Sequence, residues 1–289
     1  MKSNILKKLV LLICVLPVAF TSCKDDEDVT PAQVVASIDK VFDGNAVLSS
    51  QAQVNDFAAE NYNTIDGDLL IGFNASSTQM SDITSLSQLT SIRAIGGKLN
   101  ISNNPILSNI EGLNALNFIR GLEFRKNAII TTLSPLVNVL ELTFLQVEDN
   151  DALKNMEGLS GVANIQQYAI VRRNADLLSL NGLNNLEAIE DGQFSITESP
   201  LLTNISALSN LKLIGGTLSI NFTPLTSLNG LSSVESLGGD MFFSFNTQLN
   251  DYCALNNLII QNTYSEEINA LGNAYDPTVQ DIIDGNCSN

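Results

Sequence analysis

The stretch that decides the fold is "LIGGTLSINFTPLTSLNGLSSVESLGG", residues 213–239. It contains a short apolar pattern, Leu218-x-Ile220, followed by apolar residues at every third position from Leu225 to Leu237. A helix would need additional steps of four, and a strand would alternate every two residues. The stretch therefore predicts one short strand, followed by an irregular return path whose tight turns each direct one apolar side chain inward.

The pattern L-x-I-x-x-N occurs eight times along the chain, with other apolar residues replacing Leu or Ile in some copies. Its last position is residue 74, 104, 127, 150, 174, 199, 223 or 246, and it is Asn in six of the eight copies. After the first interval, successive copies are separated by 23 to 25 residues. Such a period predicts a solenoid, in which stacked coils build one continuous core. An Asn amide both donates and accepts, so it suits a turn between coils.

The repeat is similar to the leucine-rich repeat consensus in its length and its Asn. More closely, it resembles the receptor L domain, the β-helical leucine-rich unit of insulin- and EGF-receptor ectodomains that also occurs in bacterial surface proteins. Residues 213–239 carry this resemblance best, and it covers roughly residues 61–250. The resemblance implies a β-rich solenoid, a right-handed parallel β-helix of about eight coils.

The start of the chain is typical of a lipoprotein signal peptide, residues 1–22. A basic start precedes the apolar run Leu9 to Phe20, which is too short to span a bilayer. The sequence Phe20-Thr21-Ser22-Cys23 resembles a bacterial lipobox, and the residues after Cys23 resemble the Bacteroidetes signal that exports lipoproteins to the cell surface. These features predict a lipid at Cys23, an outer-membrane anchor and surface exposure. The alternative is an ordinary signal peptide with an incidental Cys.

The remaining segments are an acidic tether at 23–33, an N-terminal cap at 34–60, the solenoid at 61–250 and a C-terminal cap at 251–289. A solenoid has two open ends that must be capped. At the front, a Ser N-cap and a short amphipathic helix with Val54, Phe57 and Ala58 on one side are predicted. At the back, Cys253 and Cys287 predict a disulfide, because an exported protein passes through an oxidising compartment. Two unrelated thiols are the alternative.

A second recurring position precedes the third leucine of the return path. It is occupied by Gly112, Pro135, Gly158, Gly182, Ala207 and Gly230. Proline cannot adopt a positive φ, so the glycines are predicted to be selected for small size rather than left-handed geometry.

Composition excludes several functions. The chain has 31 acidic and 14 basic residues and no His, with a formal charge of −17. Nucleic acid is excluded as a partner, because phosphate binding needs a basic stripe. The usual general base and the commonest metal ligand are both missing. The acidic turns at 66–68 and 147–151 lack EF-hand spacing. No metal, cofactor or catalytic residue is predicted.

The two residues before each Asn are predicted to face outward, about 4.8 Å from their equivalents in the next coil. The first column contains Arg125, Glu148, Arg172, Thr197, Asn221 and Ser244, and the second contains Lys126, Asp149, Arg173, Glu198, Phe222 and Phe245. Opposite charges alternate down both columns, which predicts a charge ladder that sets the register of the coils. A ligand surface is the alternative, and the two can coexist.

Towards the C-terminus the same face becomes aromatic, with Phe222, Phe242 and Phe245 predicted to lie outward beside Asn221. An exposed apolar patch usually marks an interface, and aromatic faces also suit sugar rings. The alternative is that the C-terminal cap folds over these rings.

The candidate ligand face therefore comprises Phe222, Phe242, Phe245, Asn221, Arg172, Arg173 and Glu148. The predicted function is a cell-surface lipoprotein that acts as a non-catalytic binding or adhesion module for a protein or glycan ligand. One alternative is a polysaccharide-processing protein on a β-helix, using Glu148, Asp149, Arg172 and Arg173. Another is a purely structural envelope protein.

Overall fold

A computed structural model describes residues 39–261 and 268–289. The predicted signal peptide, Cys23 and the acidic tether lie outside the described residues. The described chain forms a 15-stranded sheet in which every strand pair is parallel. The strands are β1 (Val41–Phe42), β2 (Ala46–Leu48), β3 (Thr64–Ile65), β4 (Leu69–Gly72), β5 (Ala94–Ser102), β6 (Phe118–Arg125), β7 (Glu141–Glu148), β8 (Asn164–Arg172), β9 (Ala188–Ile189), β10 (Phe194–Thr197), β11 (Leu213–Ile214), β12 (Leu218–Asn221), β13 (Ser236–Leu237), β14 (Met241–Ser244) and β15 (Ile268–Leu271).

Each complete coil contributes two segments to the sheet, separated by a corner. In β5 to β8 the two segments form one strand of eight or nine residues, whereas β11 and β12 are separate strands of one coil. Register shifts occur at the corner, for example between Ile95 and Lys98 of β5. The corner therefore absorbs the differences in coil length.

The second segments of successive coils stack into rungs, a term used here for each of these segments with the turn that follows it. Strands occupy all eight predicted positions, from β4 to β14. Two further rungs, β2 and β15, pair with β4 and β14 and lie within the segments predicted as caps. Ile268-x-Ala270-x-x-Asn273 repeats the predicted pattern. Among the described residues the stacked sheet thus has ten rungs, and it continues into the segments predicted as caps.

The core lies between the sheet and the return path. In the coil at residues 218–234, Leu218 and Ile220 point inward from the strand and are fully buried. On the return path Leu225, Leu228 and Val234 are also buried, as the three-residue step predicts. Short 3-10 helices occur there at Ser134–Leu136, Ser206–Leu208, Asn229–Leu231 and Cys253–Leu255. Each buried aliphatic side chain stabilises the fold by about 1.5–3 kcal/mol.

The Asn residues that end the rungs form a buried hydrogen-bonded ladder. The Asn150 Nδ2 donates to the Phe124 carbonyl oxygen at 2.9 Å, and the Asn150 Oδ1 accepts from the backbone N–H of Asn127 at 3.1 Å. Asn273 extends the ladder, and its backbone N–H and Nδ2 donate to the Asp276 carboxylate at 3.0 and 2.7 Å. A carboxylate can only accept, so Asp276 ends the ladder.

The prediction that the return-path glycines serve only small size is wrong in three coils. Gly112, Gly158 and Gly182 have φ between +107° and +111°, which is costly for residues with a Cβ. Pro135, Ala207 and Gly230 instead lie in 3-10 helices. The coils therefore use two turn conformations at one sequence position. Small size matters as well, because a Cβ on Gly158 would lie 1.8 Å from the Leu133 carbonyl oxygen.

Helices occur near both ends of the sheet. Helix α1 (Gln51–Ala59) begins at the predicted Ser N-cap, where the Ser50 hydroxyl accepts from the Gln53 N–H, and it buries Val54. Near the C-terminus, α2 (Asn256–Gln261) and α3 (Val279–Ile283) flank β15. The predicted disulfide between Cys253 and Cys287 is present, with Cα atoms 4.9 Å apart. None of the helices in the described ranges is long and apolar enough to cross a membrane.

Candidate ligand-binding face

The outward surface of the rungs, termed the strand face, ends at an unusual turn residue in each coil. From the coil that ends at Asn104 onward, the residue directly before the ladder position, termed the turn position, has left-handed backbone geometry. Its non-glycine occupants, with φ between +52° and +60°, are Asn103, Lys126, Asp149, Arg173, Glu198, Phe222 and Phe245. The conformation brings these side chains to one edge of the strand face at the spacing of the coils.

Glu148 is the centre of the charge ladder. Its Oε2 accepts from the guanidinium groups of Arg125 and Arg172 at 3.0 and 3.1 Å, and its Oε1 accepts from Gln146 at 2.8 Å. Burial raises the pKa of Glu148, but the hydrogen bond from Gln146 and the two arginines more than offset this, so the pKa lies below its ordinary value. The side chain is 1% exposed. The expectation that Glu148 faces solvent is therefore wrong, because the neighbouring long side chains cover it.

At the turn position, Arg173 holds Asp149 through both oxygens, with its Nε and Nη2 donating at 2.5 and 2.9 Å. The hydrogen bonds and charge of Arg173 outweigh burial and hold the pKa of Asp149 below its usual range. Lys126 donates to the Ala75 carbonyl oxygen at 2.5 Å. Both predicted arginines therefore form salt bridges with a carboxylate of the preceding coil. These salt bridges neutralise their charges within the fold.

A depression of about 350 Å³ lies at the N-terminal side of this ladder, lined by Asn100, Glu123 and Arg125 among others. Its polar groups largely bind one another. The Glu123 carboxylate accepts from Lys98 at 3.0 Å and from the Asn100 amide at 2.7 Å. Internal pairing therefore leaves this depression with little capacity to bind a ligand.

Phe222 and Phe245 occupy the turn position in adjacent coils and form the aromatic pair. Their rings are stacked, with centroids 4.9 Å apart and planes inclined by 16°. The side chains are 52% and 49% exposed, and Phe242, in the middle of β14, is 36% exposed. The rings therefore lie outward as predicted, and the described part of the C-terminal segment leaves them exposed rather than burying them.

The aromatic pair is not explained by stability. A Cβ in the left-handed region crowds the following carbonyl and costs about 1–2 kcal/mol, and bulky residues are rarely found there. In the other coils where the turn position is left-handed, its residue is Asn, Gly or charged. Phe222 and Phe245 adopt this strained conformation although about half of each side chain remains exposed to water. Their mutual stacking offsets about 0.5–1.5 kcal/mol of the cost.

Beside Phe222 lies a second depression, termed the polar depression, with a volume of about 410 Å³. Its lining is Gln146, Glu148, Ile170, Arg172, Gln193, Ser195, Thr197, Glu198, Asn221 and Phe222. It exists because β10 carries the short outward side chains of Ser195 and Thr197 between larger neighbours. In register with Thr197 are Arg172 of β8 and Asn221 of β12.

Sequence reasoning missed Gln193 and Ser195 as members of this site. Ser195 is the outward residue in the middle of β10, and Gln193 lies at the corner that precedes the strand. The sequence signal that could have revealed them is the change from a large to a small outward side chain in the middle of adjacent strands, from Ile170 of β8 to Ser195 of β10. Of the predicted face, the structure brings Glu148, Arg172, Asn221 and Phe222 together around the depression, whereas Arg173, Phe242 and Phe245 are not among its lining residues.

The described residues contain no group of three or more His, Cys, Asp or Glu that could hold a metal ion. The fold and this surface define a parallel β-solenoid with an open strand face. Residues 61–147 match the model of the receptor L domain family. That is a family of ligand-binding domains that are generally not enzymes. The match ends within β7, so the aromatic pair and most of the polar depression lie in coils beyond it.

Proposed function

We propose that this chain is a non-catalytic binding or adhesion module that takes a protein or glycan ligand on its strand face. A single observation carries the proposal: two half-exposed phenylalanines occupy strained turn positions beside an open depression. Strain that contributes little to folding tends to persist at functional sites. The similarity of residues 61–147 to a ligand-binding domain family supports the same conclusion.

We further propose that the protein is anchored in the outer membrane by lipid on Cys23 and is exposed at the cell surface. The support is the signal-peptide pattern and the lipobox-like Phe20-Thr21-Ser22-Cys23. Stable anchoring requires more than one acyl chain, because a single chain binds a membrane only marginally. A Cys23→Ser variant is expected to lose incorporation of labelled palmitate, and retained labelling would contradict the anchor.

The polysaccharide-processing alternative has less support. It requires an accessible carboxylate, and Glu148 is buried between two arginines while Asp149 is held by Arg173. Neither arrangement raises a carboxyl pKa towards neutrality, which a general acid needs. Cleavage of a polysaccharide that is lost in a Glu148→Gln variant would favour this alternative over binding alone.

The strand face is tested by binding of the full chain to host-cell and neighbouring-cell surfaces. The double variant Phe222→Asn/Phe245→Asn places at both turn positions the residue type already found at Asn103. Relief of strain and loss of stacking roughly offset each other, so the double variant is expected to stay folded and to lose binding. Arg172→Glu, which alters the opposite side of the depression, is a second probe.

Phe118→Ala is the matched control, because Phe118 is also 50% exposed but precedes the corner and lies outside the strand face. Binding that survives both the double Asn variant and Arg172→Glu would exclude the strand face as the binding surface.

A further inference from the structure

The two rings of the aromatic pair do not present equivalent surfaces. Their 4.9 Å separation matches the spacing between adjacent strands, about 4.8 Å, so the ring normals run along the solenoid axis. Phe245 covers one face of Phe222, and the other face of Phe245 lies towards Gly272, where an added Cβ would be 3.1 Å from the ring. The other face of Phe222 has no aromatic partner among the described residues and is termed its free face. That face is turned towards the preceding coil, where Glu198 occupies the turn position.

Phe222 lines the polar depression together with Glu198 of the preceding coil, towards which its free face is turned. The floor is formed by β10, where the Thr197 Oγ1 is buried and has no hydrogen-bond partner in the described part of the chain. The side chains of Gln193 and Ser195 likewise form no hydrogen bond to another described residue, and Glu198 forms no salt bridge there, although its charge helps to raise the pKa of Arg173. The depression therefore combines one aromatic face with the Ser195 hydroxyl, the Gln193 amide and the Glu198 carboxylate, which are not engaged in hydrogen bonds to described residues.

We propose that the polar depression binds a carbohydrate, with one sugar ring stacked on the free face of Phe222. This inference rests on the proposed function of the strand face as a binding surface. The C–H groups on one side of a pyranose ring are apolar and slightly positive, which complements the negative face of an aromatic ring. The hydroxyl groups at the ring edge donate to the Glu198 carboxylate and exchange hydrogen bonds with Ser195 and Gln193.

Other ligand classes fit the depression less well. The backbone of β10 is paired on both sides, with β8 and β12, so a peptide cannot add to it as a strand. The charge of Arg172 is directed to Glu148, so the site is not built for an anion. A volume of about 410 Å³ lies at the lower end of the range of small-molecule sites. A neutral ligand rich in hydroxyls satisfies these constraints.

The test uses the full chain on an array of oligosaccharides built from neutral hexoses, N-acetylhexosamines and uronic acids, followed by calorimetric titration of the oligosaccharide that binds best. Phe222→Ala is expected to weaken binding by about tenfold or more, while Phe222→Tyr retains it. Ser195→Leu fills the floor and is expected to abolish binding. Leu271→Ala, at another exposed apolar side chain of the sheet, is expected to leave affinity unchanged.

The chain contains no Trp, so Phe222→Trp introduces a single indole fluorophore at the stacking position. Its emission is expected to shift to shorter wavelength when the oligosaccharide covers the ring and excludes water. A shift that saturates with the calorimetric affinity places the sugar on this ring. No shift at saturating oligosaccharide would overturn the stacking assignment.

The remaining outcomes separate this inference from the proposed function. Adhesion that depends on Phe222, without binding to any oligosaccharide, overturns the carbohydrate assignment and leaves a protein-binding strand face. Oligosaccharide binding that is unchanged in both Phe222→Ala and Ser195→Leu overturns the site. Binding to neither the array nor any cell surface overturns both proposals.

Discussion

Replacing Glu148 by Gln tests whether the charge ladder stabilises the fold. The substitution keeps the size of the side chain but removes the charge that accepts hydrogen bonds from Arg125 and Arg172 at 3.0 and 3.1 Å. A hydrogen bond to a charged group contributes about 1.5–3 kcal/mol when buried. The two arginine side chains are 25% and 38% exposed, so water replaces part of what is lost. We expect the free energy of unfolding to fall by about 2–3 kcal/mol.

The assay is urea unfolding at pH 7, followed by far-ultraviolet circular dichroism, with Glu198→Gln as the matched control. Glu198 is exposed and forms no ion pair among the described residues, so this control is expected to change stability by less than about 0.5 kcal/mol. Equal effects of the two substitutions would refute the assignment of Glu148 as the centre of the ladder.

The Glu148→Gln variant is also expected to change how stability depends on pH. The pKa of Glu148 in the folded protein lies below its ordinary value of 4.5, so the stabilisation is complete above pH 4.5 and is lost as the pH falls through the lowered pKa. Asp149, whose pKa is also lowered, contributes in the same direction. Wild-type stability should therefore drop between pH 5 and the acid range below 4, and the drop should be smaller in Glu148→Gln. Identical slopes for both proteins would contradict the reasoning.

Three further predictions concern the ladder, the core and the disulfide, each measured by urea unfolding at pH 7. Asn150→Ala leaves a buried backbone N–H and a buried carbonyl without their ladder partner, so the free energy of unfolding should fall by about 2–5 kcal/mol. In the control Ser199→Ala, the lost hydroxyl makes only a 3.4 Å contact, so the free energy of unfolding should fall by less than about 1 kcal/mol. Similar losses in the two variants would argue against the ladder. Tyr252→Phe should stabilise the protein by about 1–3 kcal/mol, because its fully buried hydroxyl has no hydrogen-bond partner among the described residues, and a loss of stability would reveal such a partner. Reduction of the Cys253–Cys287 disulfide should lower stability by at most about 4 kcal/mol, and an unchanged unfolding midpoint would show that it does not restrain the unfolded chain.

The strands, the buried positions and the disulfide could be predicted from the sequence because local spacing determines them. Leu218 and Ile220 alternate within one strand, and Leu225 and Leu228 follow at the three-residue step, so each coil specifies its own inward side. The stacking of coils then follows from the need to cover those apolar positions. The same pattern would also have identified the rung at Ile268 if a small apolar residue such as alanine had been accepted at its second apolar position.

The candidate site could not be predicted to the same extent, because it depends on neighbours that are 23 to 25 residues apart in sequence and adjacent only after folding. The sequence by itself determined which residues form rungs and that charged and aromatic residues occupy the outward columns. Tertiary structure alone decided that Glu148 is covered by two arginines and that Phe222 retains one free ring face. The physical reason is that exposure on the strand face depends on the relative sizes of side chains in three consecutive coils. Short side chains at Ser195 and Thr197 open a depression only because Arg172 and Phe222 stand on either side of it.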